Sequence, residues 1–298
     1  MAVFATAGCG RQTAGEVSLS RLSAVYPGSD MASSVPSAKP VLRVAIASVI
    51  SPRESLIYYG SLLTYLSKKT GRQVKLFQRQ TYAEINDLMK SGDVDLAFVC
   101  TYAYVQGNQD FGMELLAAPQ VNGQTEYRSY LIVPADSKAR SLADLKGGTF
   151  AFTDPMSTSG YLVPLYWLSQ MGESPSTFFR NYFFTYSHDN SINAVANKLA
   201  DGATVDSLVF DSMAAANPTL ASQVKIIARS QSFGAPPVVV RPGLDPGLKA
   251  LLKETFLGMS NDPQGQGILT ALRIDRFVPV DDHAYDGVRE MLREVGIH

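Results

Sequence analysis

Cysteine, histidine and tryptophan are scarce in this chain, with two, three and one in 298 residues. Two cysteines cannot build a disulfide framework. Cys9 follows a run of small residues and Cys100 ends an apolar strand, so a bridge between them is disfavoured. The histidines, at 188, 283 and 298, lack metal-ligand spacing, so no metal site is expected. No run of about 18 apolar residues offers a membrane-spanning helix. Charge of one sign is missing too: 26 basic and 27 acidic side chains leave a net charge of -1. Without a cationic field, nucleic-acid and anionic-membrane binding are not expected, although one small anion can still be held locally. There is no Gly-x-Ser-x-Gly elbow, no Gly-rich phosphate loop ending in Gly-Lys-Ser/Thr and no dinucleotide fingerprint, and no cofactor is implied.

What is present is a soluble, globular composition, 46% apolar and 18% charged. Its length favours two lobes or one large α/β domain. Met1 to Ala7 is too short and uncharged for a full export signal, yet Thr6-Ala7-Gly8-Cys9 resembles the end of a bacterial lipoprotein signal, with Cys9 as the residue to be acylated. From Gly10 to Pro40 the chain is rich in Ser, Ala, Gly and Pro without apolar periodicity, the composition of a tether. Residues 1–41 are therefore read as a truncated signal and linker.

Regular structure is predicted from Leu42. A strand over Leu42–Ser48 feeds a helix opened by Pro52. Strand Val74–Arg79, helix Tyr82–Ser91 and buried strand Val94–Val99 complete a βαβαβ rhythm. After a short strand at Met113–Ala118 the rhythm repeats. Strands are expected at Arg128–Val133, Thr149–Thr153, Phe183–Ser187 and Val205–Phe210, with helices from Ser141, over Ser159–Gln170 and over Ile192–Leu199. Two further strands, Val224–Ile227 and Pro237–Arg241, precede three C-terminal helices. Two α/β lobes place a ligand in the crevice between them, facing strand carboxyl ends and helix amino ends.

At such a position lies Asp154-Pro-Met-Ser-Thr-Ser-Gly-Tyr161, between an apolar strand and an apolar helix. The hydroxyls of Ser157, Thr158 and Ser159 and the free N–H groups of a helix start suit a tetrahedral oxyanion, and Gly160 permits close backbone approach. The same residues also read as an ordinary helix cap. His188, in Ser187-His-Asp-Asn190, follows another strand and can donate to an anion. Tyr59, Tyr102 and Asp211 are further cleft candidates. A hydrolase assembled from Ser157 or Ser159, His188 and Asp189 finds little support in the spacing.

Taken in order, Tyr59-Gly-Ser-Leu-Leu-Thr-Tyr-Leu66, Val94-Asp-Leu-Ala-Phe-Val99, Asp154 to Pro164, Ser187-His188-Asp189 and Phe277-Val-Pro-Val-Asp-Asp-His-Ala-Tyr285 resemble the phosphate/phosphite/phosphonate family of ABC-transporter substrate-binding proteins. The resemblance implies an α/β, two-lobed periplasmic-binding-protein fold with a hinge of two crossover strands, near Tyr127–Pro134 and Gly234–Arg241. Lobe 1 would comprise 42–130 and 238–298, and lobe 2 131–237. It implies a non-enzymatic, monomeric protein outside the cytoplasm, held at the membrane through Cys9, that captures a small phosphorus oxyanion for an ABC permease. A binding module feeding a signalling partner is the alternative. By the same resemblance Ser157, Thr158, Ser159, His188 and Tyr59 hold the phosphoryl oxygens. Relatives carry a tyrosine where Val99 stands, so Thr101 or Tyr102 is expected to supply the missing contact. Pro236 replaces an acidic residue used for aminoalkylphosphonates, which favours phosphate, phosphite or a simple phosphonate.

Overall fold

Alternation of apolar and polar residues resolves into two twisted sheets in a computed structural model that describes residues 40–297. Cys9 and the tether reading lie outside the described residues. In the first half, strands β1 (Val41–Ile46), β2 (Gln73–Gln78), β3 (Leu96–Phe98) and β4 (Glu114–Gln120) alternate with helices α1 (Pro52–Thr70), α2 (Tyr82–Lys90) and α3 (Thr101–Phe111). Local chemistry sets the helix ends. Pro52 starts α1 and Gly71 ends it in the left-handed region at φ 65°. Thr81 and Glu84 form a reciprocal capping box on α2.

The chain then enters a second sheet through a two-residue turn in which Asn122 and Gly123 both take positive φ, 51° and 76°. That sheet is built from β5 (Glu126–Pro134), β6 (Thr149–Phe152), β7 (Asn181–Phe184), β8 (Gly202–Asp206) and β9 (Val224–Gly234), in the order β7-β6-β8-β5-β9. Between these strands run α4 (Val163–Gln170), α5 (Pro175–Phe178), α6 (His188–Ala196), α7 (Ser207–Ala216) and α8 (Pro218–Ser222). The chain returns through 235–237 to β10 (Val238–Val240), then adds α9 (Pro246–Gly258), α10 (Pro263–Leu272), β11 (Arg276–Val278) and α11 (Asp286–Glu294). The first sheet reads β11-β4-β10-β3-β1-β2, parallel around β1 and antiparallel around β10. Asp95 fixes its base: it accepts from Arg43 Nη2 at 2.7 Å, Arg43 Nε at 3.0 Å and Arg241 Nε at 3.2 Å, tying β1, the start of β3 and the end of β10 together.

Along the chain the elements follow the sequence reading in order, with local differences: the strand expected at Phe183–Ser187 is β7 at Asn181–Phe184, and β11, α5 and α8 are absent from the reading. The helix expected from Ser141 is a single 3₁₀ turn, Leu142–Leu145. Helix α3 is absent from the reading because Tyr, Gly and Asn are weak helix formers. Burial of Thr101 to Val105 imposes it instead. The apolar run Val205–Phe210 is not a strand, since Asp206 ends β8 and caps α7. Asp211 therefore sits inside a helix.

One core cluster joins the lobes. It packs Val99, Tyr102 and Tyr285 with Tyr127, Leu162 and Val163.

Candidate functional site

Three helices of the first lobe start at the interlobe face, and the second lobe meets each start with an acceptor. Ser51 N–H, preceding α1, donates to Asp189 Oδ1 at 2.9 Å. Tyr82 N–H, at the first residue of α2, donates to Asp154 Oδ2 at 3.1 Å. Tyr102 N–H in the first turn of α3 donates to Thr158 Oγ1 at 2.8 Å. A fourth bond, His188 N–H to the Val49 carbonyl at 2.9 Å, completes the closure. Helix starts offer unpaired N–H donors and a positive dipole end, so carboxylate and hydroxyl oxygens are the expected partners.

The Ser157-Thr-Ser-Gly160 segment forms a wide turn in which Leu162 N–H reaches the Ser157 carbonyl at 3.0 Å, five residues back. Such π-turns recur at functional sites. Ser157 Oγ accepts from Gly160 N–H at 3.0 Å, so Ser157 caps the turn. A Cβ at Gly160 would stand 2.3 Å from Thr153 Oγ1, which is why only glycine fits. Ser157, Thr158 and Ser159 are fully buried.

His188 lies across this turn. Its Nδ1 accepts from Asp206 N–H at 3.1 Å, so the ring hydrogen sits on Nε2, which points toward Ser157 Oγ at 3.5 Å. Burial drives the His188 pKa down to about 3, leaving a neutral donor. Asp206 Oδ1 accepts from Leu208 N–H at 2.7 Å and Val209 N–H at 3.2 Å. Burial outweighs those bonds and pushes its pKa up to about 7. Tyr59, packed edge-on against Phe98, has its phenol pushed up to about 12, first by burial and then by the Asp206 charge.

Several hydroxyls here are buried with no partner: Ser159 Oγ, Tyr82 Oη and Tyr127 Oη. Tyr127 faces the Thr101 and Thr158 side chains, and both tyrosines lie within the fields of Cys100 and Asp206. An orphaned buried hydroxyl costs about 1–3 kcal/mol, so three together mark a place for acceptor oxygens from elsewhere. Among the described residues no lysine, arginine or glutamate is buried. The chemistry available is thus neutral O–H and N–H donation, with two buried carboxyl groups, Asp206 and Asp154, whose pKa burial raises.

The structure brings together Ser157, Thr158, Ser159, Gly160, His188 and Thr101, with Tyr59 and Asp206 on the adjoining wall of the cleft. Thr101 Oγ1 is spent on the Gly234 carbonyl at 3.0 Å. Tyr102 contributes its backbone N–H to Thr158 while its ring packs in the core. Asp211 is displaced outward, where it accepts from Tyr130 Oη at 3.4 Å. Tyr82, Tyr127, Cys100 and Asp206 escape sequence reasoning. Tyr82 was signalled only by its place at a strand-to-helix junction, and Asp206 by its capping position. Cys100, buried and free, receives Thr158 N–H at 3.5 Å.

Comparison with known proteins follows this geometry. Residues 44–285 match the family model described as the ABC transporter, phosphonate, periplasmic substrate-binding protein. The phosphate-import protein PhnD of Mycolicibacterium smegmatis is 31% identical over 258 residues, covering 80% of each chain. The crystal structure of a binding-protein component of an ABC phosphonate transporter from Pseudomonas aeruginosa superposes with a TM-score of 0.81 at 30% identity, over 86% of this chain and 87% of that one. PhnD1 of Prochlorococcus marinus, solved with methylphosphonate, gives 0.79 at 22% identity, over 87% of this chain and 99% of that one. These relatives are components of transporters, not enzymes, and they carry the same two-lobed fold. The neutral cradle between two α/β lobes and the match across nearly the whole described chain agree: the protein belongs to the phosphonate family of periplasmic substrate-binding proteins of ABC transporters.

Proposed function

We propose that this protein captures a small phosphorus oxyanion, phosphate, phosphite or a simple phosphonate, between its lobes and presents it to an ABC permease. Membership of the family places it outside the cytoplasm with a small-molecule ligand and a membrane transporter as partners. The observation that carries the choice of ligand is the set of buried, unpartnered hydroxyls of Ser159, Tyr82 and Tyr127 around the turn. Ser157, Thr158, Ser159 and the His188 Nε2–H are the donors, with Gly160 allowing close approach and Tyr59 reaching from the first lobe. Thr101 and Tyr102 act by holding the lobes and Thr158 in place, and Asp211 stands at the rim. Hydrogen bonds to a charged acceptor are about twice as strong as neutral ones, so a dianion can be held here without an arginine.

The hinge expected near Tyr127–Pro134 and Gly234–Arg241 is narrowed to 121–125 and 235–237, because Glu126–Pro134 lies within the second sheet and Val238–Val240 within the first, and the protein works as a monomer without nucleic acid. Cys9 is the proposed acylation site, tested by the mass of the mature chain recovered from membranes. An unmodified Cys9 in that chain refutes anchoring.

The binding test is titration calorimetry of the ligand-stripped protein with phosphate, phosphite, methylphosphonate and sulfate. One phosphorus oxyanion should bind, and Ser159→Ala should weaken it about ten- to hundredfold. Failure of every phosphorus oxyanion to bind overturns the reading.

A further inference from the structure

The ending Phe277 to Tyr285, one of the segments that carry the family resemblance, takes no part in the cradle, yet its last residue reaches the crossover between the lobes. Asp281 caps a single 3₁₀ turn, Asp282–Tyr285, by accepting His283 N–H at 2.9 Å. Tyr285 is fully buried, and its Oη donates to the Ala235 carbonyl at 3.2 Å. On its amide side Ala235 donates to the Thr125 carbonyl of the outgoing crossover at 2.8 Å. Pro236 and Pro237 follow, and their rings lock φ, so rotation in the return crossover falls chiefly on Gly234 and Ala235. Those two residues are held from both sides. A Cβ on Gly234 would stand 2.8 Å from the Ala284 carbonyl oxygen and 3.1 Å from Tyr285 Cε1. The Gly234 carbonyl accepts from Thr101 Oγ1 at 3.0 Å, and the neighbouring Tyr102 N–H donates to Thr158 Oγ1 in the oxyanion turn at 2.8 Å.

The Tyr285 ring is itself gripped. Tyr104 packs on it at 4.8 Å between centroids, and Tyr104 Oη donates at 2.6 Å to Asp282 Oδ1, an oxygen that Arg289 Nη2 also holds at 2.6 Å. A phenylalanine would fill the same space, so the hydroxyl is what ties this cluster to the crossover. We infer that Tyr285 is a positioning residue for ligand capture: from outside the cradle its hydroxyl fixes the pivot at Ala235, and through Gly234 and Thr101 it sets the start of α3 against Thr158. The inference rests on the capture between lobes proposed above, and not on which oxyanion is captured.

The test compares Tyr285→Phe with Tyr104→Phe, each of which removes one hydroxyl from the cluster and keeps its ring. Hydrogen–deuterium exchange of the ligand-free full chain should quicken at Ala235 and in the first turn of α3 in Tyr285→Phe, and stay unchanged there in Tyr104→Phe. Titration calorimetry with phosphate, phosphite and methylphosphonate should find the bound one held about three- to tenfold more weakly by Tyr285→Phe, and within about twofold of wild type by Tyr104→Phe. Thr101→Val supplies the third arm: combined with Tyr285→Phe, the two losses of affinity should be less than additive, since both act through Gly234. Equal losses in the two Phe variants, or additive losses in the double variant, would trace the effect to general loosening and overturn the inference. Unchanged exchange and affinity in Tyr285→Phe would overturn it too. If the wild type binds none of the three anions, the oxyanion reading fails, while the exchange comparison still decides the role of Tyr285.

Discussion

At the scale of single residues, the two titratable groups behind the cradle are perturbed in opposite directions for one reason, burial. Asp206 holds a proton up to about pH 7, whereas an unfolded chain releases it near 3.8. Between those values the folded state binds more protons than the unfolded state. Asp206 therefore subtracts stability as pH rises through this window, with the full cost present above 7. Asp206→Asn, which keeps an oxygen for Leu208 and Val209 N–H, should raise the melting temperature at pH 8 and leave it near wild type at pH 4. Equal effects at both values would contradict the burial argument. A bound anion favours protonated Asp206, so affinity should also weaken above pH 7 in the wild type and stay flat in Asp206→Asn. His188 runs the other way. Its folded pKa near 3 lies below the ordinary 6.5, so it costs stability as pH falls from 6.5 toward 3. Of these two residues only His188 was visible in the sequence, because it follows Ser187 at an apparent strand end. Asp206 was hidden by the apolar run Leu208-Val-Phe210, which mimics strand and shifts attention to Asp211.

At the scale of elements, the turn Ser157–Leu162 owes its shape to one missing side chain. An alanine methyl at Gly160 would press on Thr153 Oγ1 at 2.3 Å and on Ser157 Oγ at 3.0 Å, two atoms whose positions set His188 and the cap. Gly160→Ala should cost about 1–3 kcal/mol of stability, read by denaturant unfolding, and should weaken oxyanion binding in parallel. Wild-type affinity in this variant would mean that the turn is only a helix cap. This segment was legible because hydroxyls and glycine between an apolar strand and an apolar helix are a local signal. Helix α3 was not, since Tyr, Gly and Asn within Thr101–Phe111 outweigh Ala103 and the glutamines, and its start is met by Thr158 from the other lobe. The succession of strands and helices along the chain was likewise readable as a rhythm of βα units. The antiparallel insertion of β10 between β3 and β4 depends on the return crossover, a long-range fact that no local pattern carries.

At the scale of the whole molecule, closure rests in part on groups distinct from those proposed to touch the ligand. Asp189 Oδ1 and Asp154 Oδ2 each accept an N–H at the start of a helix on the opposite lobe, at 2.9 and 3.1 Å. Each such charge-assisted bond exists only in the closed form and is worth about 1.5–3 kcal/mol. Ligand affinity equals the intrinsic affinity of the closed form reduced by the fraction of molecules that are closed. Two regimes then give different signatures for Asp189→Ala, which removes one bond and leaves the cradle hydroxyls in place. If the ligand-free protein is mostly open, affinity falls about ten- to hundredfold and the ligand-free radius of gyration stays the same. If it is mostly closed, the radius of gyration rises and affinity falls less, because part of the lost energy is absorbed in opening. Small-angle scattering and calorimetry on the same variant separate the two, and saturating ligand should restore the compact form in both. A variant that matches wild type in radius and affinity alike would show that the Asp189–Ser51 bond contributes nothing to closure, and would leave closure to the Asp154–Tyr82, Thr158–Tyr102 and His188–Val49 bonds.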